Sequence, residues 1–113
     1  MITVINGKTN RFLGNDKIYI SRENKTYSVE ESVLKNIFII RKDGTRNEII
    51  AKYRAWLWKE FNKKGAVYKE LIRIAIKVKA GENIQLVCWC KPLDCHGDVI
   101  KRCIEWIIKE ELI

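Results

Sequence analysis

The chain has 113 residues, of which 47% are hydrophobic and 32% charged, with a single proline. This length and composition predict one soluble domain, residues 1–113, with its own core, and they exclude a disordered chain. No apolar run approaches the length of a membrane span, and the net charge of +8 fits either a solvated lysine-rich surface or a phosphate-bearing partner.

The first part of the chain predicts short strands separated by loops. Strands are expected over residues 2–5 and 17–21, the second because Ile18 and Ile20 alternate with Tyr19. The stretch 7–16, rich in Gly, Asn and Lys, is expected to form the loop between them. Further on, residues 28–31 fit a single helical turn, residues 37–40 a strand, and residues 42–44 a turn.

Helical patterns dominate the rest of the chain. Thr45 stands three residues before Glu48, the spacing of a capping box, so a helix is expected from there until Gly65 ends it. A second helix is predicted over 66–79, with Gly81 as its cap. Residues 83–90 fit a strand in the centre of a sheet, and a last helix is predicted from about residue 98.

Strands before, between and after helices predict an α/β fold, a small single-layer sheet packed by helices. We expect Cys103 and three tryptophans, Trp56, Trp58 and Trp106, to be packing residues of these helices. The stretch 88–98 then forms a strand–loop–helix junction. Ligands of open α/β sheets bind beyond the carboxyl ends of the strands, so this junction is the predicted site.

The junction concentrates reactive side chains. Three of the four cysteines, the only histidine and the only proline lie within residues 88–96. The chain start lacks a basic segment followed by a long apolar run, so we expect no secretory signal and a cytoplasmic protein. Thiols stay reduced there, and a cysteine cluster then points to chemistry or metal binding.

Strand geometry constrains Cys88 and Cys90. They fall on one face of the predicted strand, with Cα atoms about 6.6 Å apart at about 3.3 Å per residue. Their side chains would run parallel at close to the maximum span of a disulfide, so no structural bridge between them is expected. Cys88 is either a buried core residue or part of the site.

Cys95 and His96 precede the last predicted helix. A helix N-terminus favours a thiolate by about 0.3–1 kcal/mol, which leaves an ordinary thiol mainly protonated at neutral pH. Activation of Cys95 would need help from His96 or nearby cations. Asp98 is the expected N-cap of the helix, or it orients His96 and sets its tautomer.

The same residues allow a zinc site. Cys88, Cys90, Cys95 and His96 are ligand types that suit zinc. However, structural zinc sites usually have two separated ligand pairs, and this chain has no second pair. Thiol chemistry without a metal, zinc binding and a purely structural loop therefore stay open.

The cluster resembles the signature of an uncharacterised family of bacteria and phages, domain of unknown function family 4326. The resemblance rests on three parts of the chain: Cys88-Trp89-Cys90, Pro92-Leu93 and Cys95-His96-Gly97-Asp98. Earlier segments are also similar, namely Tyr19-Ile20-Ser21-Arg22, Gly44-Thr45-Arg46 and Tyr53-Arg54. One segment departs: the family has Ser-Pro-Leu-Gly-Asn-Pro-Phe where this chain has Ser32-Val33-Leu34-Lys35-Asn36-Ile37-Phe38, with Asn36 retained.

The resemblance implies that the matching residues share one pocket. These residues are Arg22, Asn36, Arg46, Cys88, Cys90, Cys95, His96 and Asp98. Arginines beside a thiol and a helix N-terminus suit an anionic ligand. The family carries no established reaction, so the resemblance indicates a site rather than an activity.

We therefore hold three functional hypotheses. The first is a pocket for a phosphate-bearing small molecule such as a nucleotide, without a cofactor. In it Cys95, His96 and Asp98 are the candidate catalytic residues; whether the protein is an enzyme stays open. The second is a zinc module with a basic nucleic-acid-binding surface, and the third is a phage accessory protein that binds a host protein.

Overall fold

The computed structural model of the protein describes residues 1–113. Its sheet has three strands, β1 (Ile2–Asn6), β2 (Lys17–Tyr19) and β3 (Ile84–Cys88), in the order β1-β3-β2. Both outer strands run parallel to β3, with Asn6 opposite Cys88 and Tyr19 opposite Val87. The predicted central position of β3 is confirmed, and all three strands end at one edge of the sheet.

Four helices accompany the sheet: α1 (Gly7–Asn10), α2 (Arg46–Lys63), α3 (Ala66–Lys79) and α4 (His96–Lys109). The predicted capping box of α2 is confirmed, because the Thr45 hydroxyl accepts from the Glu48 amide and the Glu48 carboxylate accepts from the Thr45 amide. This helix ends at Lys63; its C-cap is Lys64, in the left-handed conformation that glycine usually adopts, and the predicted helix end, Gly65, is instead the N-cap of α3. Helix α3 has the predicted bounds.

The two faces of the sheet have different partners because side chains alternate along β3. Ile84, Leu86 and Cys88 join the main core beneath α3 and α4. Val87 faces the other way, into a smaller cluster with Phe12 and Val29. The sheet is thus a single layer covered by helices on one face and by irregular chain on the other, which confirms the predicted α/β class.

Three local predictions were wrong. Residues 37–40 form no strand: Ile40 makes only a single local bridge, to Gly44, and the Asp43 carboxylate accepts the Ile39 amide in a tight turn. Residues 28–31 form no helical turn; the antiparallel bridge Asn24–Val29 holds them instead. The predicted loop 7–16 contains the short helix α1.

Cys103 is partly buried against the main core, as predicted, and so are Trp56 and Trp106. Trp58 differs, since it is 52% exposed and contacts Phe61 and Trp106 from the solvent side. None of the helices combines the length and the apolar character that crossing a membrane requires.

Candidate functional site

The candidate site is built where the parallel strands end. Asn6 closes β1, and its side-chain amide donates to the carbonyls of Trp89 (3.2 Å) and Lys91 (2.9 Å). The Trp89 indole donates in turn to the Tyr19 hydroxyl at the end of β2, 2.7 Å away. These bonds tie the loop after β3 to the ends of both neighbouring strands. The Lys91–Pro92 peptide within that loop is cis.

Helix α4 begins directly after this loop, two residues earlier than predicted. Its N-cap is Cys95. The prediction that Asp98 is the N-cap was wrong: Asp98 is the third helical residue, and its carboxylate accepts the Cys95 amide (3.1 Å) and the Lys91 ammonium (2.6 Å). The pKa of Asp98 is lowered, because these bonds and the charge of Lys91 outweigh the opposing effect of burial.

Cys88 and Cys95 form a buried sulfur pair between the sheet and α4. Their Sγ atoms are 3.6 Å apart, with Cys95 donating, and the two residues are 0% and 2% exposed. The Cys95 thiol and the amides of Cys90 and Lys91 lower the pKa of Cys88 to about 6. Donation to Cys88, together with burial, raises the pKa of Cys95. The hydrogen bond thus favours a thiolate on Cys88 and disfavours one on Cys95.

This arrangement bears on the choice of nucleophile. A reactive cysteine needs thiolate character and access from solvent. Cys95 is nearly sealed and its pKa is raised, and Cys88 is fully sealed. Of the three cysteines in the cluster, Cys90 alone is partly exposed. The geometry therefore favours Cys90 over Cys95 as the sulfur that a ligand reaches.

His96 is a buried polar side chain of the site. It is 6% exposed, and its Nε2 lies 2.6 Å from the Ile20 carbonyl, just past β2. Burial lowers the pKa of His96, so the ring is neutral at physiological pH and its proton is on Nε2, donating to Ile20. No hydrogen bond joins Asp98 to His96. The Ile20 carbonyl, and not Asp98, therefore orients the His96 ring.

The second nitrogen of His96 is left free. Nδ1 makes no hydrogen bond within the protein, yet no buried side-chain nitrogen or oxygen lacks a partner. Nδ1 is therefore not completely enclosed, although the residue as a whole is buried. A neutral imidazole held in one tautomer offers a fixed hydrogen-bond acceptor or a general base.

His96 opens into a hollow at the carboxyl edge of the sheet, which we call the edge hollow. Its volume is about 350 Å³. Its lining includes Arg22, Asn36, Phe38, Trp89, Cys90 and His96. Arg22 is held in place because one guanidinium nitrogen donates to the carbonyls of Asn36 (2.7 Å) and Phe38 (3.3 Å).

The structure does not gather all the predicted residues around one pocket. The edge hollow takes Arg22, Asn36, Cys90 and His96. Cys95 and Asp98 face a separate cavity between α2 and α4, and Cys88 faces neither. Arg46 donates to the Asp94 carbonyl at 2.9 Å, which anchors the loop before α4. The division follows from the start of α4, which stands between the two cavities.

The predicted zinc ligands do not converge. No three of the histidine, cysteine, aspartate and glutamate side chains are placed to hold one metal ion. Cys88 and Cys95 are adjacent, but the Nε2 of His96 is bonded to a carbonyl and Cys90 faces the edge hollow. The donor set therefore does not fit a four-coordinate zinc centre.

Two contributors were missing from the sequence interpretation. Asn6 holds the loop after β3, and Trp89 forms part of the hollow while joining β3 to β2. A signal for Asn6 was present, since it is a polar residue at the end of an apolar strand. Recognising it requires knowing that β1 and β3 are neighbours, which their separation in sequence conceals.

Comparison with known proteins agrees with the resemblance noted in the sequence. No curated protein and no solved structure matches the chain. One family profile, described as Domain of unknown function (DUF4326), matches residues 5–106, which include the whole edge hollow and all four helices except the last residues of α4. The chain therefore belongs to the DUF4326 family.

Proposed function

We propose that this protein binds a phosphate-bearing small molecule, such as a nucleotide, in the edge hollow. The observation that carries the proposal is the pairing of His96 with Arg22 at one opening. Nδ1 of His96 is an acceptor whose tautomer the Ile20 carbonyl sets, and Arg22 is a cation that two carbonyls hold in place. Two polar groups with set orientation at a hollow are what ligand specificity needs.

Free hydrogen-bond donors and shape support a phosphate-bearing, partly apolar ligand. The remaining guanidinium N–H groups of Arg22 are free for a phosphate, which arginine binds in bidentate fashion. Glu23 is the one carboxylate of the lining and balances the charge of Arg22, so the donors of Arg22 rather than net charge favour a phosphate. Phe38 and Trp89 give the hollow an apolar wall that suits a base or sugar ring. A volume of about 350 Å³ lies within the range of small-molecule sites.

The proposal assigns different work to the motif residues. His96 contacts the ligand and, if the protein is an enzyme, acts as a general base through Nδ1. Cys90 lines the hollow as the accessible sulfur. Cys88, Cys95 and Asp98 set the position of the first turn of α4 and thereby of His96. They are positioning residues in this proposal.

Calorimetric titration with inorganic phosphate, nucleoside monophosphates and the matching nucleosides tests the proposal. We expect at least one nucleotide to bind, its nucleoside to bind at least tenfold more weakly, and Arg22→Gln to weaken nucleotide binding at least tenfold. Arg11→Gln is the matched control, since Arg11 is exposed and outside the hollow. Failure of every phosphate compound to bind, or equal binding by the Arg22 variant, would refute the proposal.

Alkylation of the cysteines is a second test of the proposed site. We expect iodoacetamide to modify Cys90 before Cys88 and Cys95, because Cys90 is the one member of the three that is partly exposed. A nucleotide that occupies the edge hollow should slow this modification. Modification of Cys95 first would show that the site opens on the other side of α4.

A further inference from the structure

A second concave surface lies away from the edge hollow, on the outer side of α2 and α4. We call it the tryptophan groove and define it by Arg54, Leu57 and Trp58 of α2 and Arg102, Cys103 and Trp106 of α4. Its volume is about 320 Å³. The proposed function uses none of these residues.

The groove has an aromatic part and a cationic part. Trp58 is 52% exposed, and its ring meets that of Trp106 edge to face at a centroid distance of 5.5 Å. An exposed tryptophan contributes little hydrophobic stabilisation to the fold, because much of its large apolar surface stays in water. The same surface supplies contact area to a ligand that covers it.

Arg54 and Arg102 supply the charge. Neither forms an ion pair within the chain, and the tryptophan groove has no carboxylate in its lining. Both arginines also line the neighbouring cavity that reaches Cys95. They therefore lie where the groove adjoins that cavity, whose carboxylates, Asp94, Asp98 and Glu105, are not part of the groove.

We infer that the tryptophan groove is a binding site for a small aromatic molecule that carries one anionic group, such as an aromatic carboxylate. The ring system would cover Trp58 and Trp106, and the carboxylate would accept from Arg54 and Arg102. Charge complementarity favours this occupant, because a neutral aromatic ligand would cover the apolar surface but offer no anionic acceptor to either guanidinium group.

A matched pair of probes tests the inference. Calorimetry should show 1-naphthoate binding at least tenfold more tightly than 1-naphthalenemethanol, which has the same rings without the charge. Arg102→Gln and Trp58→Ala should each weaken 1-naphthoate binding at least fivefold. Lys59→Gln is the charge-matched control, because Lys59 is exposed beside Trp58 but does not line the groove, and it should change binding less than twofold.

Several results would overturn the inference. Equal affinity for the two probes, or unchanged binding by Arg102→Gln, would show a merely apolar surface. A concentration-dependent dimer that Trp58→Ala abolishes would show that a second copy covers the groove. Far-ultraviolet circular dichroism and thermal melts check that each variant is folded, because Trp58→Ala itself changes the aromatic near-ultraviolet signal. Arg22→Gln should bind 1-naphthoate normally, so failure here and failure at the edge hollow are distinguishable.

Discussion

Replacing Gly97 by alanine tests the close approach of α4 to the sheet. A Cβ atom there would lie 2.7 Å from Cγ1 of Val4, 3.0 Å from Cδ1 of Ile20 and 3.2 Å from Sγ of Cys95. Carbon atoms prefer separations of about 3.5–4.0 Å, so the helix start or the strands must move. All three neighbours belong to buried or half-buried packing, which leaves little room for adjustment.

The expected cost follows from two opposing effects. Overpacking a core costs about 1–3 kcal/mol, and replacing a helical glycine by alanine returns at most about 1 kcal/mol. We therefore expect Gly97→Ala to lower the free energy of unfolding by up to about 2 kcal/mol, with about 1 kcal/mol as the central value, which corresponds to about 4 °C in melting temperature. Displacement of α4 should also lengthen the bond between His96 and Ile20, because His96 precedes Gly97 directly.

Urea denaturation of the wild type and the variant measures this difference. Gly14→Ala is the matched control, since Gly14 is exposed, has no positive φ, and its Cβ would meet only the flexible Lys17 side chain, at 3.3 Å. We expect the control to change stability by less than about 0.5 kcal/mol, as for ordinary surface substitutions. A Gly97→Ala protein as stable as the wild type would refute the packing argument for this glycine.

Three further predictions concern the ionisable groups of the site. Burial lowers the pKa of His96 in the folded protein, so near pH 6.5 the unfolded chain takes up a proton at His96 and the folded protein does not. The free energy of unfolding of the wild type should therefore decrease below that pH, and it should decrease less in His96→Gln. Urea midpoints between pH 5 and 8 measure both. Asp98→Asn should cost about 1 kcal/mol at pH 7. Because the folded pKa of Asp98 is lowered, that difference should disappear as acid protonates the wild-type carboxylate, which thermal melts from pH 7 to 2 would detect. In a background with Cys90 and Cys103 replaced by serine, Cys95→Ala should raise the pKa of Cys88 from about 6 towards its ordinary value. The measurement is the loss of thiolate absorbance at 240 nm near pH 7, and unchanged absorbance would contradict the sulfur pair.

Local patterns in the sequence were sufficient for much of the fold. The capping box at Thr45, the apolar periodicity of α3 and the apolar run of β3 depend on neighbours only a few residues apart. Each prediction held because the interactions that decide the element are local. The strand predicted at residues 37–40 failed because a strand exists only where a partner strand is available, and none is there.

The candidate site shows the same division. By itself the sequence determined that the motif follows the central strand and precedes a helix, because strand, loop and helix signals are local. Only the tertiary structure decided which side chains face solvent together. Cys95 and His96 are adjacent in sequence, yet the turn into α4 directs the first against Cys88 and the second against Ile20. Their division between two cavities follows from the packing of that helix turn on strands distant in sequence, which no local pattern records.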